Sequence, residues 1–129
     1  MTTIFTRIIN GEIPAQKLAE DDRFLAFLDI RPINPGHTLV IPKKEVDYFF
    51  DLEDGLLESV MVFSRPVAKA IEKSVPCKRV GVIVAGLEVP HAHVHLVPIS
   101  GIGDINFANA RPADAEELAD VAEKIRSNL

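Results

Sequence analysis

The chain is predicted to be α+β, a single mainly antiparallel sheet covered by helices. Three features of the sequence predict this. Short runs of β-type residues come in neighbouring pairs, joined by connections too brief to hold a crossover helix. Two longer runs repeat apolar residues at the 3.6-residue period. Those helical runs fall between and after the strand pairs and do not alternate strictly with single strands.

With 129 residues the chain has the size of one ordinary domain, and it shows no internal repeat, linker or low-complexity segment. Residues 1–129 are therefore expected to form one unit. Hydrophobic residues make up 47% and charged residues 26%, a balance that suits a packed globular core without help from a cofactor. The net charge of −5 argues against a general nucleic-acid surface, because duplex binding needs many Lys and Arg side chains against phosphate. A small anionic ligand in a local pocket is compatible with it. There is neither an apolar run after Met1 nor a run of about 18 apolar residues, so no secretory leader or membrane span is expected. The single cysteine, Cys77, cannot staple the fold and is expected to be a small buried hydrophobe. Together these features point to the cytoplasm.

Taking the elements in order, Thr3 is placed to cap a short helix, Ile4 to Ile9, which Asn10 and Gly11 stop. Ile4, Phe5, Ile8 and Ile9 share its apolar side. Pro14 opens an extended piece, Ala15 to Ala19, and Glu20, Asp21 and Asp22 form a hairpin turn. The next strand, Arg23 to Ile30, sets Phe24, Ala26 and Leu28 on one side and Leu25, Phe27 and Asp29 on the other. Asp29 stands out there: it either caps the loop or pairs with an Arg, or it accepts hydrogen bonds from a ligand such as paired hydroxyls. Two prolines stiffen the loop Arg31 to Gly36 and Gly36 permits its tight turn, and the loop delivers His37 to a strand ending at Ile41.

A helical turn is expected over Glu45 to Phe50, then a longer helix from Asp51 or Asp54 with Leu57, Val60, Met61, Ser64, Val67, Ala68 and Ile71 in its stripe. Pro66 removes one main-chain bond within it and predicts a kink. Arg79 to Ala85 is β-branched and reads as a strand, with Gly86 to Pro90 as a brief hairpin connection. Ser100 to Asn106 reads as a loop. Asp114 and Glu117 then stand in capping-box spacing before a last helix with Leu118, Val121, Ala122 and Ile125 inward.

Between those segments lies the most informative stretch, His91 to Val97, in which three of the four histidines alternate with Ala92, Val94 and Leu96. Alternation predicts a strand with the imidazoles roughly 6 to 7 Å apart on one face and the aliphatic residues in the core. One buried histidine is an ordinary packed residue, but a row of three sacrifices apolar burial and demands hydrogen-bond partners. Metal binding or chemistry on an anion remains. A zinc site lacks the further Cys or carboxylate ligands it would want nearby, whereas an imidazole can attack phosphorus while its neighbours hold phosphate oxygens or pass a proton.

The His-Ala-His-Val-His-Leu-Val run resembles the signature of the histidine-triad nucleotide-binding proteins. The resemblance runs from about Thr3 to Pro98. It includes Ile-Phe-Thr-Arg-Ile-Ile-Asn-Gly-Glu-Ile-Pro at 4–14, Asp-Asp-Arg-Phe-Leu-Ala-Phe-Leu-Asp-Ile at 21–30 and Pro-Gly-His-Thr-Leu-Val-Ile-Pro-Lys-Lys at 35–44. The chain is most similar to the small phosphoramidase-type branch.

That resemblance implies a homodimer in which two five-stranded sheets join, each subunit binding a purine nucleoside monophosphate or its phosphoramidate and needing no cofactor or metal. It implies hydrolysis at the α-phosphorus through a covalent nucleotidyl-histidine, with His93 as nucleophile and His91, His95 and His37 around it. Asp29 would hold the ribose hydroxyls, and Ile4, Phe5, Ile8, Phe27 and Ile30 would enclose the base. Two other uses stay open: hydrolysis of dinucleoside polyphosphates, and nucleotide binding without catalysis. Some relatives begin Cys-x-x-Cys and bind structural zinc, but Thr3 and Thr6 stand at those places, so that site is expected to be absent. Val84 and Ala85 replace an Asn that often grips the nucleotide, and Glu88 takes the place of a serine beside the scissile bond. The segment 99–129 does not match the branch, and leaving-group preference is expected to lie there.

Overall fold

The computed structural model describes residues 2–129. Five strands, β1 (Lys17–Glu20), β2 (Phe24–Leu28), β3 (Thr38–Pro42), β4 (Arg79–Ile83) and β5 (Val94–Ile99), form one sheet in the order β1-β2-β3-β5-β4, every neighbouring pair antiparallel. Three α-helices accompany it: α1 (Ile4–Ile9), α2 (Asp54–Ser74) and α3 (Ala115–Ser127). The predicted α+β architecture is the observed one.

β2 is the central case of why both sides are covered. All five of its residues are buried, and because a strand alternates its side chains, they divide between two cores. Phe24, Ala26 and Leu28 join Val40, Val94 and Leu96 against Val60, Val67, Ile71, Ala122 and Ile125 of α2 and α3. Leu25 and Phe27 join Leu39 and Ile41 against Phe5 and Ile8 of α1. The six-residue α1 is therefore held by the apolar surface it covers.

Local chemistry explains the boundaries. Thr3 caps α1 by accepting from the Thr6 amide at 3.1 Å, and Asp114 caps α3 by accepting from the Glu117 amide at 2.8 Å. α2 starts at Asp54 and continues through Pro66 to Ser74, with Ser64 inside it donating to the Val60 carbonyl at 2.7 Å. Met61 leaves the expected stripe and is exposed, while Phe63 and Ala70 pack inward instead. Cys77 is half-buried, not fully buried as expected; burial first and Glu72 second push its thiol up, away from reactivity.

Three expected segments are corrected. The helical turn predicted over Glu45 to Phe50 is confined to a 3₁₀ turn at Phe49–Asp51, because the Val46 carbonyl is drawn off to accept from the Ala92 amide at 2.7 Å. The histidine strand begins at Val94, not His91. Its ladder with β3 stops at the Val40–Val94 pair, and Pro42, which continues β3, has no N–H to offer. The hairpin connection expected at Gly86 to Pro90 therefore spans residues 84–93.

Candidate active site

His37 arrives at the start of β3 through the stiff loop, and Gly36 makes that delivery possible. Its φ of +100° is open to glycine, and a Cβ there would come within 3.2 Å of both Pro98 and Val75. His95 lies on β5 opposite Leu39, while His91 and His93 occupy the approach to β5. All four imidazoles are buried. Their rings form a continuous row: His37 to His95 5.1 Å, His95 to His93 4.9 Å, and Phe5 5.1 Å from His93 and 5.7 Å from His91. The rows of aliphatic and imidazole side chains separate as alternation required, with Ala92, Val94 and Leu96 buried between.

Hydrogen-bond partners decide which nitrogen of each ring carries the proton. His91 Nε2 lies 2.7 Å from the Pro42 carbonyl and must donate to it, which leaves Nδ1 to accept from the Thr3 hydroxyl at 2.9 Å. His93 Nδ1 donates to the His91 carbonyl at 2.7 Å. Its Nε2 then keeps a lone pair, with no partner among the described residues. His37 Nδ1 accepts from the Ile33 amide at 3.0 Å, so Nε2 holds the proton and donates to His95 Nδ1 at 2.9 Å. His95 in turn carries its proton on Nε2. A ring nitrogen with a lone pair and a neighbouring ring N–H are the two groups this row offers to a ligand.

Burial disfavours the charged form of His37, His91 and His95. It lowers the pKa of His37 against the opposing pull of Asp29, and that of His91 against the Pro42 carbonyl and Glu45. His95 is pushed down to about 3, by burial first and then by His37 and His93.

Asp29 caps the loop that follows β2. Its Oδ1 accepts from the Arg31 amide at 2.9 Å, the capping role, and its Oδ2 stands 3.6 Å from His37 Nε2. No Arg side chain pairs with it among the described residues. Phe5, Ile8 and Phe27 are buried beside the histidine row, with Phe5 and Phe27 edge to face at 5.7 Å. Ile4 and Ile30 are exposed, 48% and 65% accessible. Glu88 is exposed in the 84–93 loop. A cavity of about 240 Å³ opens beside His37, lined by Asp29, Pro32, Arg111, Glu117 and Val121 among others.

Ligand atoms of Asp29, His37 and His95 lie within 4.8 Å of one another, yet they do not fit a metal ion. Coordination through His37 Nε2 would drive its proton to Nδ1, directly against the buried Ile33 N–H.

Two contributors escaped the sequence reading. Phe107, in a 3₁₀ turn at Phe107–Asn109, sets its ring 4.9 Å from that of His95. Main-chain bonds from Arg111 to Pro32 and from Ala113 to Ile30 fasten this C-terminal arch beside the site. Phe107→Ala should let water reach His95 and raise its pKa toward the ordinary 6.5, read by NMR titration of the ring; an unmoved titration would show that Phe107 does not shield it. The second is the Thr3, Thr6 and Glu45 cluster against His91. Glu45 Oε1 accepts from the Thr3 amide at 2.8 Å and the Thr6 hydroxyl at 2.7 Å, and these bonds hold its carboxyl below the usual range.

Comparison with known proteins shows the family. A HIT domain model matches residues 10–101. An uncharacterised HIT-like protein of Methanocaldococcus jannaschii is 40% identical over 124 residues, 89% of this chain and 94% of its own. The adenosine 5′-monophosphoramidase of Schizosaccharomyces pombe is 32% identical over 140 residues, covering 100% of this chain and 99% of its own. A crystal structure of a Hit-like protein from Bartonella henselae superposes with a TM-score of 0.88 at 34% identity, over 99% of this chain and 96% of that one. With the domain model matched over residues 10–101 and a HIT-like relative 40% identical over 89% of the chain, the chain belongs to the HIT, or histidine-triad, family.

Proposed function

We propose that the protein is a nucleotide-binding hydrolase that cleaves a nucleoside 5′-phosphoramidate, or a related α-phosphate linkage, through a covalent nucleotidyl-histidine. The observation that carries this reading is the fixed tautomer of His93: Nδ1–H is tied to the His91 carbonyl at 2.7 Å, which leaves the lone pair on Nε2 uncommitted. The name of the 32% identical S. pombe relative supports the substrate class.

In the first step Nε2 of His93 attacks phosphorus, and the phosphorus–nitrogen bond to the leaving amine breaks. The amine departs with the bonding pair and takes a proton from water. The positive charge left on the His93 ring is shared through Nδ1–H with the His91 carbonyl. His95, neutral with Nε2–H, donates to a phosphate oxygen. Water then attacks phosphorus, the bond to His93 breaks, and nucleoside monophosphate and a proton are released. His37 is a positioning residue that holds the His95 tautomer. Asp29 holds the ribose hydroxyls through its carboxylate, and Phe5, Ile8 and Phe27, with Ile4 and Ile30 at the rim, enclose the purine. Glu88 lies on the leaving-group side.

A homodimer belongs to the same reading. β4 is one of the two edge strands, its outer edge is unpaired among the described residues, and Val82 within it and Val84 just after it are 48% and 42% exposed. An apolar strand edge of this kind favours pairing with a second copy.

The direct test is to quench the protein during turnover of an adenosine or guanosine 5′-phosphoramidate labelled at phosphorus. Label bound to the wild-type protein, and absent from His93→Asn, is the expected result. Turnover with no trapped adduct would exclude the covalent route, and absence of both would leave only nucleotide binding.

A further inference from the structure

The family resemblance implies a structural zinc site in chains that begin Cys-x-x-Cys, and Thr3 and Thr6, which stand at those places here, do not fit that ion. Both hydroxyls keep their protons, the Thr3 oxygen already accepts the Thr6 amide at 3.1 Å, and His91 Nδ1 is engaged by Thr3 at 2.9 Å. Zinc prefers thiolate and free imidazole nitrogen to neutral hydroxyls. What stands there is a closed hydrogen-bond circuit.

The circuit joins three segments far apart in the chain. Glu45, just after β3, accepts the Thr3 amide at 2.8 Å and the Thr6 hydroxyl at 2.7 Å across separations of 42 and 39 residues. Thr3 reaches His91 at 2.9 Å across 88 residues, and the Thr6 hydroxyl lies 3.4 Å from the same nitrogen. Beside it, the Val46 carbonyl accepts the Ala92 amide at 2.7 Å. α1 is only six residues long, too short to hold its own shape, yet it supplies Phe5 and Ile8 to the histidine row.

We propose that Glu45 is a positioning residue: acting through Thr3 and Thr6, its carboxylate latches α1 to His91 without a metal, and so places the apolar wall that receives the nucleotide base. The inference rests on the nucleotide-hydrolase reading for its consequence, though not for the latch itself. His93 is held separately, by the His91 main chain. Loss of the latch therefore falls on substrate binding and spares the chemical step.

Glu45→Ala removes the acceptor shared by the Thr3 amide and the Thr6 hydroxyl. It is expected to raise KM for an adenosine 5′-phosphoramidate about tenfold, the cost of losing hydrogen bonds to a charged group, with kcat nearly unchanged. Glu45→Gln, which keeps an oxygen acceptor, should recover most of the loss. Thr6→Ala added to Glu45→Ala should cost little more, since both changes open the same circuit. Hydrogen exchange of the α1 amides is followed in parallel without substrate, where faster exchange in Glu45→Ala reports the latch alone. Unchanged exchange with unchanged KM, an equal fall in kcat, or stoichiometric zinc in the purified wild-type protein would each overturn the proposal. Faster exchange in a protein whose wild type turns over no nucleotide would uphold the latch and refute the hydrolase reading instead.

Discussion

His93→Ala is expected to lower kcat by about 10⁴- to 10⁶-fold, the loss that follows when a nucleophile is deleted from a residue set that acts as a unit. The reasoning is geometric. Among the rings of the row, His91 spends both nitrogens, on Pro42 and Thr3. His37 spends both on Ile33 and His95. His95 accepts through Nδ1 and has only an N–H left to offer. His93 alone keeps an uncommitted lone pair, so no neighbour can replace it. Affinity for a nucleoside monophosphate should survive, because Asp29 and the apolar wall remain; His93→Asn, which fills more of the vacated space beside Phe5, guards against collapse of that wall. Steady-state kinetics and calorimetry on both variants are the measurements. Turnover retained within tenfold would remove His93 from the nucleophile's role.

Much of this arrangement was legible in the sequence because it rests on period and on capping chemistry. The alternation of His91, His93 and His95 with Ala92, Val94 and Leu96 separates rings from core whether or not the segment is a strand, so the row was readable although the strand itself begins only at Val94. Thr3 and Asp114 were readable as caps because the bond they make is local. Tertiary bonds were not readable. Nothing in the run Glu45 to Phe50 announces that the Val46 carbonyl is claimed by an amide 46 positions away, or that Glu45 ties down Thr3 and Thr6. Phe107 escaped for a related reason: the segment around it has turn composition, and only the folding of the arch back toward Ile30 and Pro32 brings the ring against His95. Asp29 was readable as an oddity, and the structure shows the capping meaning, with one oxygen on the Arg31 amide and the other turned toward His37.

The second large effect expected is acid lability between pH 6.5 and 5. In the unfolded chain each histidine takes up a proton around the ordinary 6.5, whereas in the folded protein burial lowers the pKa of His37, His91 and His95, the last to about 3. The unfolded state therefore binds more protons as pH falls below 6.5, and stability must decline with it. These contributions are fully present above pH 6.5 and are lost progressively as pH drops toward the folded values. His95 alone costs about 1.4 kcal/mol per pH unit, or about 2 kcal/mol by pH 5, and His37 and His91 act in the same direction. Glu20, Glu45, Glu53 and Asp104, whose pKa values are also lowered, lose their contributions only below about pH 4.5, so they do not confuse this window. Urea unfolding at pH 7 and pH 5 measures the slope, and His95→Gln, which cannot titrate, should remove roughly one proton's share of it. If the variant loses stability as steeply as the wild type, His95 is not held neutral in the fold, and the N–H it is meant to present to a phosphate oxygen has no fixed tautomer behind it.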